Sequence, residues 1–213
     1  MKTPFGLYLI LTNPVAGYEA CAKAAVECGV RYLQLRMKDE PPVERLRVAR
    51  ALREITCGTA TCFIVNDDLG LAVAVDADGL HLGQDDASLL DARTKWNIEG
   101  KIFGLSTHSF EQAKKALEQS PDYLGVGPVF LTSTKKNAGP ALGVKEAGRI
   151  IRSSPLPCVA IGGIDAKRLP SLFAEGIQNF CVIRAVNQTL DPYVAIQQLM
   201  KKVECKASIR LDN

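Results

Sequence analysis

Short apolar runs recur along the chain, and each is followed by polar or glycine-rich residues and then by a stretch with helical periodicity. Runs of this length are typical of buried strands. The predicted strands lie at residues 7–12, 32–36, 62–66, 79–82, 102–106, 123–127, 158–162 and 180–183. The predicted helices lie at residues 17–28, 42–55, 68–75, 87–96, 109–119, 145–152, 166–175 and 189–203. Strand and helix therefore alternate from one end of the chain to the other.

This alternation predicts a parallel sheet, because a parallel connection needs a crossover long enough to be a helix. Eight strand-helix units of roughly 25 residues each suit a closed (β/α)8 TIM barrel better than an open sheet. No linker or change of composition divides the units. We therefore expect an α/β fold in which residues 1–213 form one barrel domain, ending in a C-terminal tail that need not be packed.

Composition and net charge indicate which kinds of binding partner to expect. Hydrophobic residues make up 47% of the chain and charged residues 23%, which is ordinary for a soluble globular protein. The net charge of +3 is small and its basic residues are dispersed, so neither nucleic acid nor a membrane surface is an expected partner. The apolar run near the N-terminus is too short for an export signal or a membrane span. Small-molecule ligands and a cytoplasmic location are expected, and a homo-oligomer is left open.

The cysteines support a reducing compartment. Their number is odd and they contain no C-x-x-C pair, so neither a disulfide framework nor a structural zinc site is predicted. Several lie in apolar strand-like runs, where cysteine behaves as a small buried hydrophobe. The seven cysteines are at positions 21, 28, 57, 62, 158, 181 and 205.

Polar residues gather at the ends of the predicted strands. In a parallel barrel, the active site lies at the C-terminal ends of the strands, in the loops that lead to the helices. Taken strand by strand from the second to the eighth, the polar residues at these ends are Arg36 and Lys38, Asn66 and Asp67, Gln84 to Asp86, Ser106 to His108, residues 130–136, residues 162–164, and Arg184. The sequence predicts that all of them converge on one mouth.

Aspartates at two successive strand ends predict a metal site. Asp67 and Asp86 would place two carboxylates close together, and Mg²⁺ is commonly held by one or two carboxylates with waters and substrate phosphates. Asp68 and Asp85 are expected to cap helices or to support the ligands. Two further aspartates precede the fourth strand, at the opposite end, and are expected to be solvated loop residues; they are Asp76 and Asp78.

Cations and glycines around the same mouth predict anion binding. Arg36, Lys38 and Lys135 are suited to neutralising a diphosphate. The glycines of residues 160–164 let backbone approach a phosphate after the seventh strand. Residues 131–143 contain Gly and Pro and suit either a lid or a loop without ligand contact.

The two histidines have different expected roles. His81 lies within a short apolar strand and is expected to be an interior histidine. His108 suits proton transfer or, equally, a packing role beside the start of a helix, where Ser109 and Gln112 have the spacing of a capping box.

Taken together, the ordered motifs resemble the thiamine phosphate synthase family, also called thiamine-phosphate pyrophosphorylase. The matching segments span nearly the whole chain in family order, and the combination of the asparagine-aspartate pair with GQDD and TSTKK is the most specific part. These segments are QLRMK (34–38), VNDD (65–68), ADGLHLGQDD (77–86), GLSTHS (104–109), YLGVGPVFLTSTKK (123–136), AIGGI (160–164) and VIRAV (182–186).

The resemblance implies a TIM-barrel transferase that joins a hydroxymethylpyrimidine diphosphate to a thiazole phosphate by a dissociative, Mg²⁺-assisted substitution. It implies that Mg²⁺ is held by Asp67 and Asp86, and that catalysis depends on Arg36, Lys38, Lys135 and Ser106. Pyrimidine diphosphate contacts would come from Gln34, Arg36, Lys38, Asn66, Ser106 and Lys135. Thiazole phosphate contacts would come from Thr132, Thr134, Gly163, Ile183 and Arg184.

Three positions depart from the family pattern. Met37 stands where Glu is frequent, Asp68 where Arg is frequent, and Arg184 where Ser is frequent. These departures bear most on the second substrate. Two alternatives stay open: a thiazole tautomerase-like enzyme that uses His108, and a non-catalytic regulatory barrel that binds thiamine phosphates. The carboxylate and cation set favours the synthase, since tautomerisation needs no diphosphate site.

Overall fold

The computed structural model describes residues 4–132, 134 and 139–209, with side chains up to residue 203. Within these residues there are eight strands, all short. They are β1 (Leu7–Leu11), β2 (Tyr32–Leu35), β3 (Cys62–Asn66), β4 (Gly79–Leu82), β5 (Ile102–Thr107), β6 (Tyr123–Val126), β7 (Cys158–Ala160) and β8 (Phe180–Val182). Every strand begins at its predicted residue. Four strands, β1, β2, β6 and β8, end one residue earlier than predicted, β7 ends two residues earlier, and β5 ends one residue later.

The strands form a closed barrel in sequence order, and every described pairing is parallel. Closure is made by β1, which pairs with β2 on one side and β8 on the other, so that Tyr8 lies opposite both Tyr32 and Cys181. The predicted (β/α)8 TIM barrel is therefore confirmed.

Helices follow the strands and cover the barrel. In the described part of the chain they are α1 (Tyr18–Glu27), α2 (Pro42–Thr56), α3 (Leu69–Ala74), α4 (Leu89–Lys95), α5 (Phe110–Ala116), α6 (Gly143–Ser153), α7 (Leu169–Ala174), α8 (Arg184–Asn187) and α9 (Pro192–Ile209). The predicted helix at 189–203 begins and ends later, as α9. The four-residue α8 was not predicted, because one helical turn is too short to show periodicity.

Alternate strand residues divide the core into two clusters. Side chains such as Leu9, Leu33 and Phe63 are fully buried between barrel and helices. The other set faces the barrel interior, where Tyr8, Ile10, Tyr123, Val159 and Cys181 pack together. Since successive strand side chains point to opposite faces, this arrangement follows from the near-continuous apolar strands.

The N-terminal end of the barrel is tied by three polar side chains, each just before an even-numbered strand. The Asp78 carboxylate accepts from the Phe63 N–H at 2.8 Å. The Asp122 carboxylate accepts from the Phe103 N–H at 2.7 Å, and Asn179 Oδ1 accepts from the Phe5 N–H at 2.8 Å. These contacts satisfy backbone donors that precede or begin strands, and they close the end opposite the predicted site.

The aspartates before β4 therefore differ from one another. Asp76 is 70% exposed, as expected of a solvated loop residue. Asp78 is only 31% exposed at its side chain and also accepts from Arg53 Nη1 at 3.0 Å, so the prediction of a solvated loop residue is wrong there.

Two further observations concern the cysteines and the helices of the described residues. None of the six cysteines with described side chains is in a disulfide. Among the described helices, none has the length and apolar character that crossing a bilayer requires.

We predict that Asp122→Ala lowers the free energy of unfolding by about 1–3 kcal/mol, because the Phe103 N–H loses its partner. The same carboxylate also pairs with Arg93 Nη2 at 2.6 Å. Both side chains are partly exposed to solvent, so the loss of this ion pair adds little to the change in the free energy of unfolding. Urea unfolding of Asp122→Ala beside Glu118→Ala, an exposed carboxylate in the preceding helical segment, provides the measurement. Equal stability of the two variants would contradict this role.

Candidate active site

A cavity of about 370 Å³ opens at the C-terminal ends of the strands. It is lined by every predicted site residue that the structure describes: Gln34, Arg36, Lys38, Asn66, Asp67, Asp86, Ser106, Thr132, Thr134, Gly163, Ile183 and Arg184. Lys135 lies outside the described residues, as does much of the predicted lid at 131–143. The strand-end pattern in the sequence thus corresponds to one mouth.

One rim of the cavity carries the two predicted metal ligands. Asp67 follows β3 directly in the left-handed region, with φ 62°, and its N–H donates to the His81 carbonyl at 2.8 Å. Positive φ is uncommon for a residue other than glycine and is tolerated best by Asn and Asp. This backbone turn places the Asp67 carboxylate in contact with the Asp86 carboxylate and 2.7 Å from Lys38 Nζ.

The electrostatics of this pair favour a cation. Burial raises the pKa of Asp67, the neighbouring Asp86 raises it further, and Lys38 opposes both effects. Two carboxylates that share one partly buried site repel each other unless positive charge lies between or beside them. Lys38 supplies one such charge from the adjacent strand end.

The Asp86 carboxylate is held by its own loop. Its Oδ2 atom accepts from the Gly83 N–H at 2.6 Å, and a Cβ on Gly83 would lie 2.8 Å from that oxygen. A side chain at position 83 would therefore displace the Asp86 carboxylate from this position. The next residue, Gln84, donates from Nε2 to the Ser106 carbonyl at 2.6 Å, which ties the β4 loop to β5.

The donor set fits Mg²⁺. No cluster of three or more His, Cys, Asp or Glu side chains occurs among the described residues, so Asp67 and Asp86 would be the protein ligands of an ion here. A two-carboxylate site that leaves other positions to waters and phosphate oxygens is the usual arrangement for Mg²⁺.

The floor of the cavity is polar and hydrogen-bonded. Gln34 Nε2 donates to the Tyr8 hydroxyl at 2.8 Å, which lies 2.8 Å from the Tyr123 hydroxyl. His81 joins the Tyr123 hydroxyl to Ser106 Oγ, each contact being 2.9 Å. His81 is an interior histidine, as predicted, but it also lines the cavity. The sequence did not reveal the role of the two tyrosines, because they belong to strands far apart in the chain.

The opposite side of the cavity is formed by backbone and hydroxyl groups. Gly162 and Gly163 both have positive φ, and a Cβ on Gly162 would lie 2.5 Å from Pro128 Cβ. Thr134 N–H lies 3.4 Å from Thr132 Oγ1. Arg184, which begins α8, lines the same cavity. This end is suited to a phosphate in close contact with backbone.

Two family departures have structural reasons. Asp68 caps α3, since its carboxylate accepts from the Leu71 N–H at 2.9 Å, and it accepts from Arg45 Nη1 at 2.9 Å. The predicted capping role of Asp68 is therefore confirmed. Met37 is 9% exposed and packs in the core between barrel and helices, whereas Arg36 and Lys38 on either side of it line the cavity.

His108 has a defined orientation. Its Nδ1 atom lies 2.6 Å from the Gly127 carbonyl, to which it must donate, so Nε2 is the remaining ring position at the cavity. The backbone N–H of His108 donates to Gln112 Oε1 at 2.7 Å, and Ser109 Oγ accepts from the backbone N–H of Gln112 at 3.1 Å. The predicted capping interaction is therefore present, with the Gln112 side chain bonded one residue earlier than in a standard capping box.

Comparison with known proteins agrees with this geometry. The family model for thiamine monophosphate synthase matches residues 7–186. A thiamine-phosphate synthase of Archaeoglobus fulgidus is 39% identical over 186 residues, which are 87% of this chain and 87% of that protein. One from Synechocystis sp. is 39% identical over 92% of this chain, but the chain spans only 57% of that longer protein.

A solved structure agrees as well. The thiamine phosphate pyrophosphorylase of Pyrococcus furiosus superposes with a TM-score of 0.86 at 32% identity, covering 95% of this chain and 96% of that one. The family-model match, residues 7–186, contains all eight described strands and every lining residue of the cavity except Gln188. The resemblance drawn from the motifs is thereby confirmed, and the chain belongs to the thiamine monophosphate synthase family.

Proposed function

We propose that the protein condenses 4-amino-2-methyl-5-(diphosphooxymethyl)pyrimidine with 4-methyl-5-(2-phosphooxyethyl)thiazole, giving thiamine phosphate and pyrophosphate. The observation that carries this proposal is the convergence of Asp67, Asp86, Lys38 and Arg36 on one cavity, in a chain of this family. A carboxylate pair flanked by cations is what a departing diphosphate with a divalent ion requires. The free thiols support a cytoplasmic location.

The reaction breaks the bond between the pyrimidine methylene and the diphosphate oxygen, which keeps the electron pair. The thiazole nitrogen then gives its lone pair to the methylene carbon. Held by Asp67 and Asp86, Mg²⁺ would neutralise negative charge that builds up on the diphosphate. Arg36 and Lys38 would do the same from the end of β2, and Lys135 is proposed to assist them from the loop after β6.

The rest of the cavity positions the two rings and keeps water away. Gln34, Asn66 and Ser106 are proposed to bind the pyrimidine side, and Thr132, Thr134, Gly163, Ile183 and Arg184 the thiazole phosphate. Ile10, Ile161 and Ile183 form apolar walls. Excluding water is essential, because water would otherwise capture the electrophilic methylene and give an alcohol.

The site favours the synthase over both alternatives. A thiazole tautomerase needs a group that moves a proton, but it has no use for the carboxylate pair or for Lys38 beside it. A barrel that only binds thiamine phosphates would not need a place for a leaving diphosphate.

We expect Asp67→Asn to lower turnover at limiting Mg²⁺ by about 100-fold or more, since charge stabilisation at the leaving group is weakened. Asn tolerates the positive φ at this position, so the backbone should be kept. Asp76→Asn is a matched control, because Asp76 also has positive φ, at 50°, but lies at the other end of the barrel. Thiamine phosphate formation is followed against Mg²⁺ concentration, and a near-normal rate for Asp67→Asn would refute the assignment.

We expect Arg184→Ala to raise the KM for thiazole phosphate far more than the KM for pyrimidine diphosphate. Loss of a charge-assisted hydrogen bond worth about 1.5–3 kcal/mol corresponds to about 10- to 150-fold. Arg50→Ala, which removes an exposed arginine from α2, controls for the change in net charge. Small and equal changes for both substrates would show that only the backbone at position 184 belongs to the site.

A further inference from the structure

The hydrogen-bonded floor of the cavity is a single chain across the barrel interior. It runs from Gln34 on β2 through Tyr8 on β1, Tyr123 on β6 and His81 on β4 to Ser106 on β5. Its four contacts measure 2.8 to 2.9 Å. Gln34, Tyr8, Tyr123 and His81 are between 1% and 9% exposed, so water competes little with these bonds. A buried chain of this kind is costly unless each member is satisfied.

Donors and acceptors fix the direction of this chain. Gln34 Nε2 only donates, so the Tyr8 oxygen accepts from it. If Tyr123 also donated to that oxygen, the buried Tyr8 hydrogen would have no partner, so Tyr8 donates to the Tyr123 oxygen. Tyr123 then donates its own hydrogen to His81 Nδ1. Burial raises the pKa of both phenols far above the usual range, so each keeps its hydrogen.

The direction continues through the imidazole to the cavity. A ring nitrogen that accepts carries no hydrogen, so neutral His81 has its hydrogen on Nε2 and donates it to Ser106 Oγ at 2.9 Å. The hydroxyl hydrogen of Ser106 is then left for a ligand. At the other end, the buried Gln34 Oε1 has no hydrogen-bond partner among the described residues. The floor therefore offers one donor, at Ser106, and one acceptor, at Gln34.

We propose that Tyr123, supported by Tyr8, is a positioning residue that fixes the His81 tautomer and so determines that Ser106 donates and Gln34 accepts at the pyrimidine. The ligand edge that complements this floor has an N–H donor and a ring nitrogen acceptor, as an aminopyrimidine does. The identity of the ligand rests on the proposed function, whereas the direction of the chain rests on the orientation of the Gln34 amide and on satisfying each buried hydroxyl.

Two glycines make room for this arrangement. A Cβ on Gly104 would lie 2.2 Å from Tyr123 Cζ and 2.5 Å from His81 Nδ1, where the two side chains meet. A Cβ on Gly125 would lie 3.3 Å from His81 Cε1. Glycine weakens a strand interior and often marks a close approach. Its presence on both β5 and β6 supports a specific role for the contact between Tyr123 and His81.

The opposite direction gives the opposite tautomer. If His81 carried its hydrogen on Nδ1, it would donate to Tyr123, and Ser106 would have to donate to Nε2. Ser106 would then have no hydrogen left for the ligand. The two directions can therefore be distinguished by measuring which ring nitrogen of His81, Nδ1 or Nε2, carries the hydrogen.

The first arm of the test is ¹⁵N NMR of the intact protein labelled at histidine, without substrate. The chain has only two histidines, and the His108→Gln variant assigns their signals. We expect His81 to carry its hydrogen on Nε2 in the unmodified protein and in Tyr8→Phe, where Tyr123 still donates. Tyr123→Phe should shift the ring toward the Nδ1–H form. A His81 that carries its hydrogen on Nδ1 in the unmodified protein, or that does not respond to Tyr123→Phe, overturns the proposal.

The second arm is steady-state kinetics of the same variants. Tyr123→Phe should raise the KM for pyrimidine diphosphate about tenfold, equivalent to about 1.4 kcal/mol, and change the KM for thiazole phosphate by less than about twofold. Tyr32→Phe is the matched control, because its ring stacks on Tyr8 at 5.5 Å but its hydroxyl is outside the chain. An equal change in KM for both substrates, or a change as large in Tyr32→Phe, would show that Tyr123 only packs in the barrel interior and would overturn the proposal.

The two arms separate this proposal from the proposed function. An Nε2–H tautomer that responds to Tyr123→Phe, in a protein that makes no thiamine phosphate, refutes the synthase and leaves the direction of the chain established. If Tyr123→Phe does not fold, the Tyr8→Phe variant tests the proposal instead. It removes the hydroxyl to which Gln34 Nε2 donates, so the KM for pyrimidine diphosphate should rise while the His81 tautomer is unchanged. An unchanged KM in Tyr8→Phe would overturn the proposal.

Discussion

Closure of the parallel barrel is the constraint on which the candidate site depends. Because β1 pairs with both β2 and β8, the C-terminal ends of all the described strands face one mouth. Residues distant in sequence are thereby brought into contact: Lys38 after β2 lies 2.7 Å from Asp67 after β3. The opposite end is closed by side chains such as Asp122, which satisfy strand N–H groups. Stability and function are therefore divided between the two ends of the same strands.

Glycine positions determine where the barrel interior is polar and open. At Gly79 and Gly127, a Cβ would collide with neighbouring backbone, 2.2 Å from the Ile102 oxygen in β5 and 2.1 Å from the Ile161 oxygen just after β7. At Gly104 the space is instead taken by Tyr123 and His81. The interior thus keeps room for a polar floor beneath the cavity, where larger strand residues would have packed it with apolar side chains.

Sequence patterns predicted the fold and the rim of the site well, for a physical reason. The ends of strands can be predicted from local apolar runs. In a closed parallel barrel the C-terminal ends of all strands lie at the same end, so Asp67, Asp86 and Arg36 could be placed at one mouth. The hydrogen-bonded floor could not be predicted in this way. Tyr8 and Tyr123 are 115 positions apart, and their contact depends on the register between strands and on the glycine at 104. The glycine at position 104, within the predicted fifth strand, could have indicated a close approach there. Lys135, on which the diphosphate hypothesis also draws, stays a prediction.

The most direct test of the account is a reaction mixture that contains the protein, both substrates and Mg²⁺. We expect thiamine phosphate and pyrophosphate to form in equal amounts, and only when both substrates are present together. Binding of both substrates without product, or a change confined to the thiazole, would contradict it, because the first result describes a regulatory barrel and the second a tautomerase.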